Sequence, residues 1–242
     1  MKTVLLGSMI ILMACQPKNK ETHQTNPAEQ KVTVKTIAEG KGDYGTQVKG
    51  HYDKSQDAWI SEDPFYETVY FEGSDFASIR RLVDNEDEPN MGLINKQGKI
   101  VVSTKYSGMS IGFTDGFCQV ASGQNWGMVN DKGEEILKPV YGDVTAEKDG
   151  IFRISKDSKY GFADKTGKIL VEPKYESVDY AGNGLFFFMK EPARWGLKNF
   201  KEEVIVQPEF TFTQDFVDGK TILQKSDGED YIVYTDGRVV KK

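Results

Sequence analysis

Cysteine and histidine are nearly absent, with two of each among 242 residues. That scarcity excludes a small domain stapled by several disulfides, and no ligand spacing for a zinc cluster is present. A Cys–His nucleophile has no support, because neither His23 nor His51 lies near Cys118 in the chain. Cys118 sits in "GFCQVAS", an apolar stretch typical of a strand, and reads as a small buried hydrophobe. Positive charge is also short: 31 Lys and Arg stand against 37 Asp and Glu, a net charge of −6. Such a chain repels phosphate backbones at long range, so no nucleic-acid partner is expected. No phosphate-cradling glycine loop or nucleophile elbow appears, and no apolar run reaches the roughly 20 residues that a membrane-crossing helix needs. We therefore expect no enzyme activity, no metal and no cofactor.

The one apolar run stands at the start, Val4 to Met13, behind Lys2. It suits the core of a secretory signal. The run ends in "LMAC", Leu12 to Cys15, which resembles the lipobox of bacterial lipoproteins. The resemblance implies cleavage of residues 1–14 and acylation of Cys15. Each buried methylene adds about 0.8 kcal/mol, and several chains together anchor a protein durably. By the sorting rule of enteric bacteria, Gln16 in place of Asp suggests the outer membrane. Residues 15–31 then form a lipidated cysteine and a polar tether that includes His23 and has no large apolar residue to bury.

Glycine is plentiful, at 24 residues, and aromatics make up 12%. Both lean toward turns and pleated sheets. They recur at one period. Gly92, Gly127, Gly161 and Gly196 are spaced 35, 34 and 35 residues apart, and Gly116, Gly150, Gly184 and Gly219 keep the same step. Twelve residues after each first glycine stands Thr104, Pro139, Pro173 or Pro208; two further on stands Tyr106, Tyr141, Tyr175 or Phe210. The residue before each first glycine is Met91, Trp126, Tyr160 or Trp195, with Asp230 in the fifth, trailing copy. Four markers on one period identify tandem structural units.

Each unit reads as three strands. The first, such as "WGMVN", ends in an Asn/Asp turn closed by glycine ("NDKGE", "DKTGK"); Asp131, Asp164 and Asp236 are such turn residues. The second is expected to stop at proline, which cannot donate to a ladder. The third, such as "GFCQVA", returns to the next copy. One long antiparallel meander is the expected result, all-β, with the ring at the Trp position of one unit lying over the bare glycine backbone of a neighbour.

The pattern resembles the WG-repeat family, bacterial tandem β-repeats named for their Trp-Gly pair. It covers Met91 to Lys242 in four units and a trailing half. Departures are Met91 and Tyr160 for Trp, Thr104 for Pro, Asp230-Tyr231 for Trp-Gly, and Glu202 for a turn glycine. The resemblance implies no catalytic residues. A leading half-unit fits Pro64 and Tyr66, with Phe76 and Ile79 on a strand; Phe76, Ile79, Leu82 and Val83 also fit a helical face behind Ser74 as cap, and the strand is favoured. The expected organisation is a cap segment over 32–63, with His51 and Trp59 as packing or surface groups, and a repeat domain over 64–242. "DNEDEP" reads as a solvated acidic insertion rather than a calcium loop. An open array is expected, with a closed five-unit propeller-like ring as the alternative.

The recurring Tyr106, Tyr141, Tyr175 and Phe210 form a row that could stack on a ligand, although the core claims such rings more often. The functional expectation is a non-enzymatic, lipid-anchored envelope protein whose array binds or scaffolds a protein or peptide. The alternatives are a carbohydrate-binding module using that row, and an envelope hydrolase.

Overall fold

A computed structural model describes residues 42–82, 90–190 and 193–242. The signal, the lipobox with Cys15, the tether, the first part of the cap segment and the "DNEDEP" insertion lie outside the described residues. The described residues are all-β, and the one short helical element among them is a 3-10 turn, Lys148–Gly150. None of the described helices is long and apolar enough to cross a membrane.

Among the described residues six small antiparallel sheets follow one another along the chain. The first holds β1 (Gly50–Asp53), β2 (Ala58–Ser61) and β3 (Val69–Tyr70); the second holds β4 (Phe76–Arg80), β5 (Met91–Asn95) and β6 (Ile100–Tyr106). The third holds β7 (Gly108–Met109), β8 (Phe117–Ser122), β9 (Asn125–Asn130) and β10 (Glu135–Tyr141). The fourth holds β11 (Asp143–Ala146), β12 (Ile151–Lys156), β13 (Lys159–Asp164) and β14 (Ile169–Tyr175). The fifth holds β15 (Val178–Gly182), β16 (Leu185–Lys190), β17 (Arg194–Asn199) and β18 (Val204–Phe210). The last holds β19 (Lys220–Gln224), β20 (Asp230–Tyr234) and β21 (Val239–Lys241).

The meander is thus cut into blocks, and the three-strand unit becomes four strands in the middle sheets. The cut falls after each proline–aromatic strand. A sequence repeat that begins at Trp126 gives its first two strands to the third sheet and its remaining strands to the fourth. Residue 64 marks no boundary either, since β3 completes the sheet that the β1–β2 hairpin begins.

The proline does not end its strand. Pro139, Pro173 and Pro208 lie inside β10, β14 and β18, the outer edges of their sheets, where a missing donor costs no ladder bond. Each strand bulges there. Trp126 pairs with Tyr141 and Met128 with Leu137, so three residues of β10 stand opposite Gly127 alone. The same registers pair Tyr160 with Tyr175, Trp195 with Phe210 and Met91 with Tyr106. The bulge presses onto the glycine. A Cβ on Gly127 would lie 2.4 Å from the Leu137 carbonyl oxygen and 2.6 Å from Pro139 N; on Gly161 it would lie 2.3 Å from the Val171 oxygen. The bare backbone therefore receives an adjacent strand of its own sheet, not the ring of a neighbouring unit.

The rings do reach the joints between sheets. Trp126, Tyr160 and Trp195 are half-buried against the cores that join their sheets to the next. Five such cores link the six sheets in chain order. Side-chain alternation builds them. Cys118 and Val120 on β8 face the second sheet, while Phe117 faces the fourth and packs edge-to-face on Phe152 at 5.0 Å. Phe186 and Phe188 on β16 face the fourth sheet, and Leu185 and Phe187 the last. None of the five cores among the described residues joins the first sheet to the last, so the array is open.

Neighbouring sheets meet backbone-on-backbone at the hairpin turns. Asn130 Oδ1 accepts from the Lys132 and Glu134 amides, and Gly133 closes the turn at φ 73°. The equivalent Gly167 leaves room for only 2.1 Å between a Cβ and the Ile136 carbonyl oxygen of the sheet before it.

Thr104 departs from proline for a reason the fold supplies. Its amide donates to Asp43 Oδ1 at 2.7 Å, and its hydroxyl, Ser103 Oγ and Tyr66 OH also donate to that buried carboxylate. Residues 42–48 are tied to the second sheet this way, and proline has no N–H to give. Restoring the repeat with Thr104→Pro should therefore destabilise the fold by about 1–3 kcal/mol. Gly127→Ala, at an ordinary φ, should cost about 1–3 kcal/mol through overpacking. Urea denaturation of both variants measures these losses; unchanged midpoints would contradict the two assignments.

Candidate functional site

The expected aromatic row is mostly spent on the joints. Tyr106 and Phe210 are 2% and 1% exposed and belong to the second–third and fifth–sixth cores. Tyr141 and Tyr175 are half-buried against the third–fourth and fourth–fifth cores. Ligand stacking along the whole row is thus corrected at Tyr106 and Phe210: a ring facing its Trp-position partner across the bulge is carried into the joint. Met91, Gly92, Gly161 and Gly196 likewise occupy structural positions beside Trp126, Gly127, Tyr160 and Trp195.

Cys118 is fully buried among Leu93, Val102, Tyr106, Val120 and Val129. Burial pushes its thiol pKa up, and its sulfur lies 3.5 Å from the Ser110 carbonyl oxygen as a donor. A thiol so placed is a packing group, and the hydrolase reading loses its best nucleophile.

Polar groups gather in two places. Along the fourth to sixth sheets, Glu147 lies 3.6 Å from Arg153, Thr213 Oγ1 donates to Asp179 at 2.6 Å, Lys148 pairs with Asp215 at 3.5 Å, and Tyr180 OH donates to Asp149 at 2.8 Å. Burial, with Asp179 and Asp215 nearby, raises the Glu147 pKa against the pull of Arg153 and Lys148. The first lies within the fourth sheet; the other three tie the residues of one sheet to those of a later one. No group of three or more His, Cys, Asp or Glu suited to a metal occurs among the described residues.

The second gathering is a groove of about 460 Å³ between the fourth and fifth sheets. Lys159, Lys174, Tyr175 and Glu176 line one wall, and Met189, Lys190 and Ala193 the other. The strand ends explain the placement. Lys159 opens β13, Lys190 closes β16, and Lys174 and Tyr175 follow the bulge of β14, so all project at one edge of the joint. Lys159 pairs with Glu176 at 3.0 Å. Lys174 lies 2.7 Å from the Glu202 carboxylate, and Tyr175 OH donates to the same carboxylate at 3.1 Å. Lys198 Nζ donates to Tyr175 OH at 2.9 Å and sits 4.6 Å from the centre of the Phe188 ring. Burial first, then the bond to Glu202, raises the Tyr175 pKa, so the phenol stays protonated.

Glu202 thus replaces a turn glycine, at φ 64°, to clamp two sheets together. Tyr106 makes the parallel contact at the second joint, donating to Glu135 at 2.9 Å beside Lys105 at 2.7 Å. The departure at Glu202 was visible in the sequence, but its pairing with Lys174 and Tyr175 was not. The lysines of the groove carried no signal, because they are far apart in the chain and resemble ordinary surface charges.

A family model described as "WG containing repeat" matches residues 91–125, 126–160, 160–191 and 195–228, more than half of the chain. The chain belongs to the WG-repeat family. Its four matched repeats each begin at the residue before the buried glycine and so run out of phase with the sheets. No curated protein matches the sequence. Among solved structures it is similar to the computationally designed Ika8 protein, at 12% identity over 82% of this chain and 76% of that one, with a TM-score of 0.36. Others are Hsv2p of Kluyveromyces lactis (7%, 79% and 74%, TM-score 0.36) and the WD40 β-propeller domain of Doa1 (12%, 83% and 72%, TM-score 0.31). Likenesses this distant say nothing of what the WG-repeat chain binds.

The clamp carboxylates make stability depend on acid. Hydrogen bonding from Lys174 lowers the Glu202 pKa; at Glu135 burial opposes, but the bonds from Lys105 and Tyr106 prevail and lower it too. Carboxyls lowered in the fold contribute stability that is full above their ordinary value of 4.5 and lost as pH falls through the folded value. The melting temperature should therefore drop below about pH 4.5. Glu202→Gln should flatten that drop and lower the plateau near neutral pH; an unaltered pH profile in this variant would remove the clamp.

Proposed function

We propose that this WG-repeat chain is a non-enzymatic, lipid-anchored envelope protein that holds an acidic segment of a partner protein in the groove between its fourth and fifth sheets. The groove carries the reading. Three lysines, Lys159, Lys174 and Lys190, and one carboxylate, Glu176, line it beside Met189 and Tyr175, a local excess of positive charge on a chain whose net charge is −6. Local positive charge against an acidic background selects for acidic ligands and speeds their capture. Lysine stems and a methionine add adaptable apolar contact without a shaped reaction centre. Lys198 lies 4.6 Å and 5.1 Å from the centres of the Phe188 and Tyr175 rings and adds a further positive charge behind the wall.

The anchor rests on "LMAC" and the polar residues after it. Acylation at Cys15 would tether the sheets to a membrane surface, the outer membrane by the Gln16 rule, and leave the groove free to meet its partner. Repetition suits such a role, because a stack of small sheets offers a long rigid surface at low sequence complexity.

Two measurements test the two halves. Cys15→Ser should abolish fatty-acid labelling and release the protein from membranes; labelling that persists refutes the anchor. Fluorescence anisotropy with acidic, neutral and basic peptides should show binding of the acidic set only, weakening as salt rises. Lys159→Glu with Lys190→Glu should weaken it at least about tenfold, while the melting temperature stays near that of the parent, since both side chains lie at the surface. Equal binding of all three peptide sets would end the groove reading.

A further inference from the structure

The last sheet has one face covered and one bare. Thr221, Leu223 and Val233 are buried, Leu223 and Val233 in the core shared with the fifth sheet. The other face carries a row set by register: Ile222 pairs with Ile232, and Ile232 with Val240. The same row exists in each earlier repeat sheet. It holds Leu93 and Val102 in the second, Met128 and Leu137 in the third, Phe162 and Val171 in the fourth, and Leu197 and Val206 in the fifth. All eight are buried beneath the following sheet. In the last sheet Ile222 is 40% exposed and Val240 48%, with Val217 beside them at 68%. Val217, Ile222 and Ile232 line a cavity of about 320 Å³ rimmed by Lys220, Asp215 and Asp218.

We propose that two copies of this chain pack against each other through this bare face, about a two-fold axis. Four times within the chain the same row is an interface, and the fifth row is as apolar as the others. Its rim carries both signs of charge, Lys220 and Asp218, so a two-fold would set Lys220 of one copy against Asp218 of the other. A head-to-tail contact fits less well. The outward face of the first sheet holds exposed His51 and Tyr70 around Ile60, with Asp53 beside them, and offers no apolar row. Head-to-tail contacts also propagate without closing, whereas a two-fold interface stops at the pair.

The test is cross-linking of the full chain in its membrane. Cys118 is buried, and the parent chain treated alike reports any dimer made through Cys15, so position 222 is read as the gain over the parent. Ile222→Cys treated with a short bis-maleimide should give a covalent dimer, and its yield should fall at least about tenfold when Val240→Asp and Ile232→Asp are added. Ile111→Cys, 75% exposed just after β7 of the third sheet, serves as the control and should give none. Three outcomes would overturn the proposal. One is no dimer with Ile222→Cys. Another is a dimer that forms only when Ile222→Cys chains are mixed with Ile60→Cys chains, which is the head-to-tail contact. The third is a yield unchanged by the aspartates in a chain that still melts cooperatively.

Discussion

The fold depends on one close approach: a bulged outer strand pressed onto a residue without a side chain. Gly92, Gly127, Gly161 and Gly196 all have a carbonyl oxygen of the outer strand within 2.7 Å of where a Cβ would stand. None of them has a positive φ, so glycine is needed for room rather than for conformation. The bulge absorbs two extra residues, and the strand beyond it then places its aromatic opposite the residue before the glycine. Glycine, proline and the two rings are therefore parts of one local device. That is why they keep one spacing along the chain.

The device also decides how the sheets join. It leaves the paired rings on the side that meets the next sheet, and strand alternation sends the remaining apolar residues alternately forward and back. Because the chain breaks its ladder after the bulge, each sequence repeat spans two sheets. A repeat deleted whole would remove parts of both. Covalent continuity and the apolar joint thus reinforce each other, and no sheet is a closed unit on its own.

Strand positions, Asn/Asp turns and the period of the array were legible in the sequence, because they depend on side-chain alternation and on turn chemistry within a few residues. The seat of the glycine was not. A Trp beside a Gly suggests a ring on bare backbone, yet the approaching atoms belong to residues ten or more positions away, and only the register reveals them. The same limit hid the groove. Lys159, Lys174 and Lys190 come from three strands of two sheets, and Glu202 looked like a defect until Tyr175 and Lys174 were seen to meet it. Cys118 was legible because burial follows from its strand alone.

The departures from the repeat mark where the chain does something other than repeat. Thr104 supplies an N–H where proline could not, at the joint with the residues before β1. Glu202 occupies a glycine's left-handed backbone and ties a joint that carries the groove. Lys220 stands on β19 where Phe117, Ile151 and Leu185 begin the equivalent strands, so the last sheet loses one apolar residue from its outward face. A sheet face built to meet water would be polar over the rest of its area as well. Ile222, Ile232 and Val240 remain. A charge at the margin with an apolar row at the centre is the composition of an interface that forms and stops, rather than of a surface left to solvent.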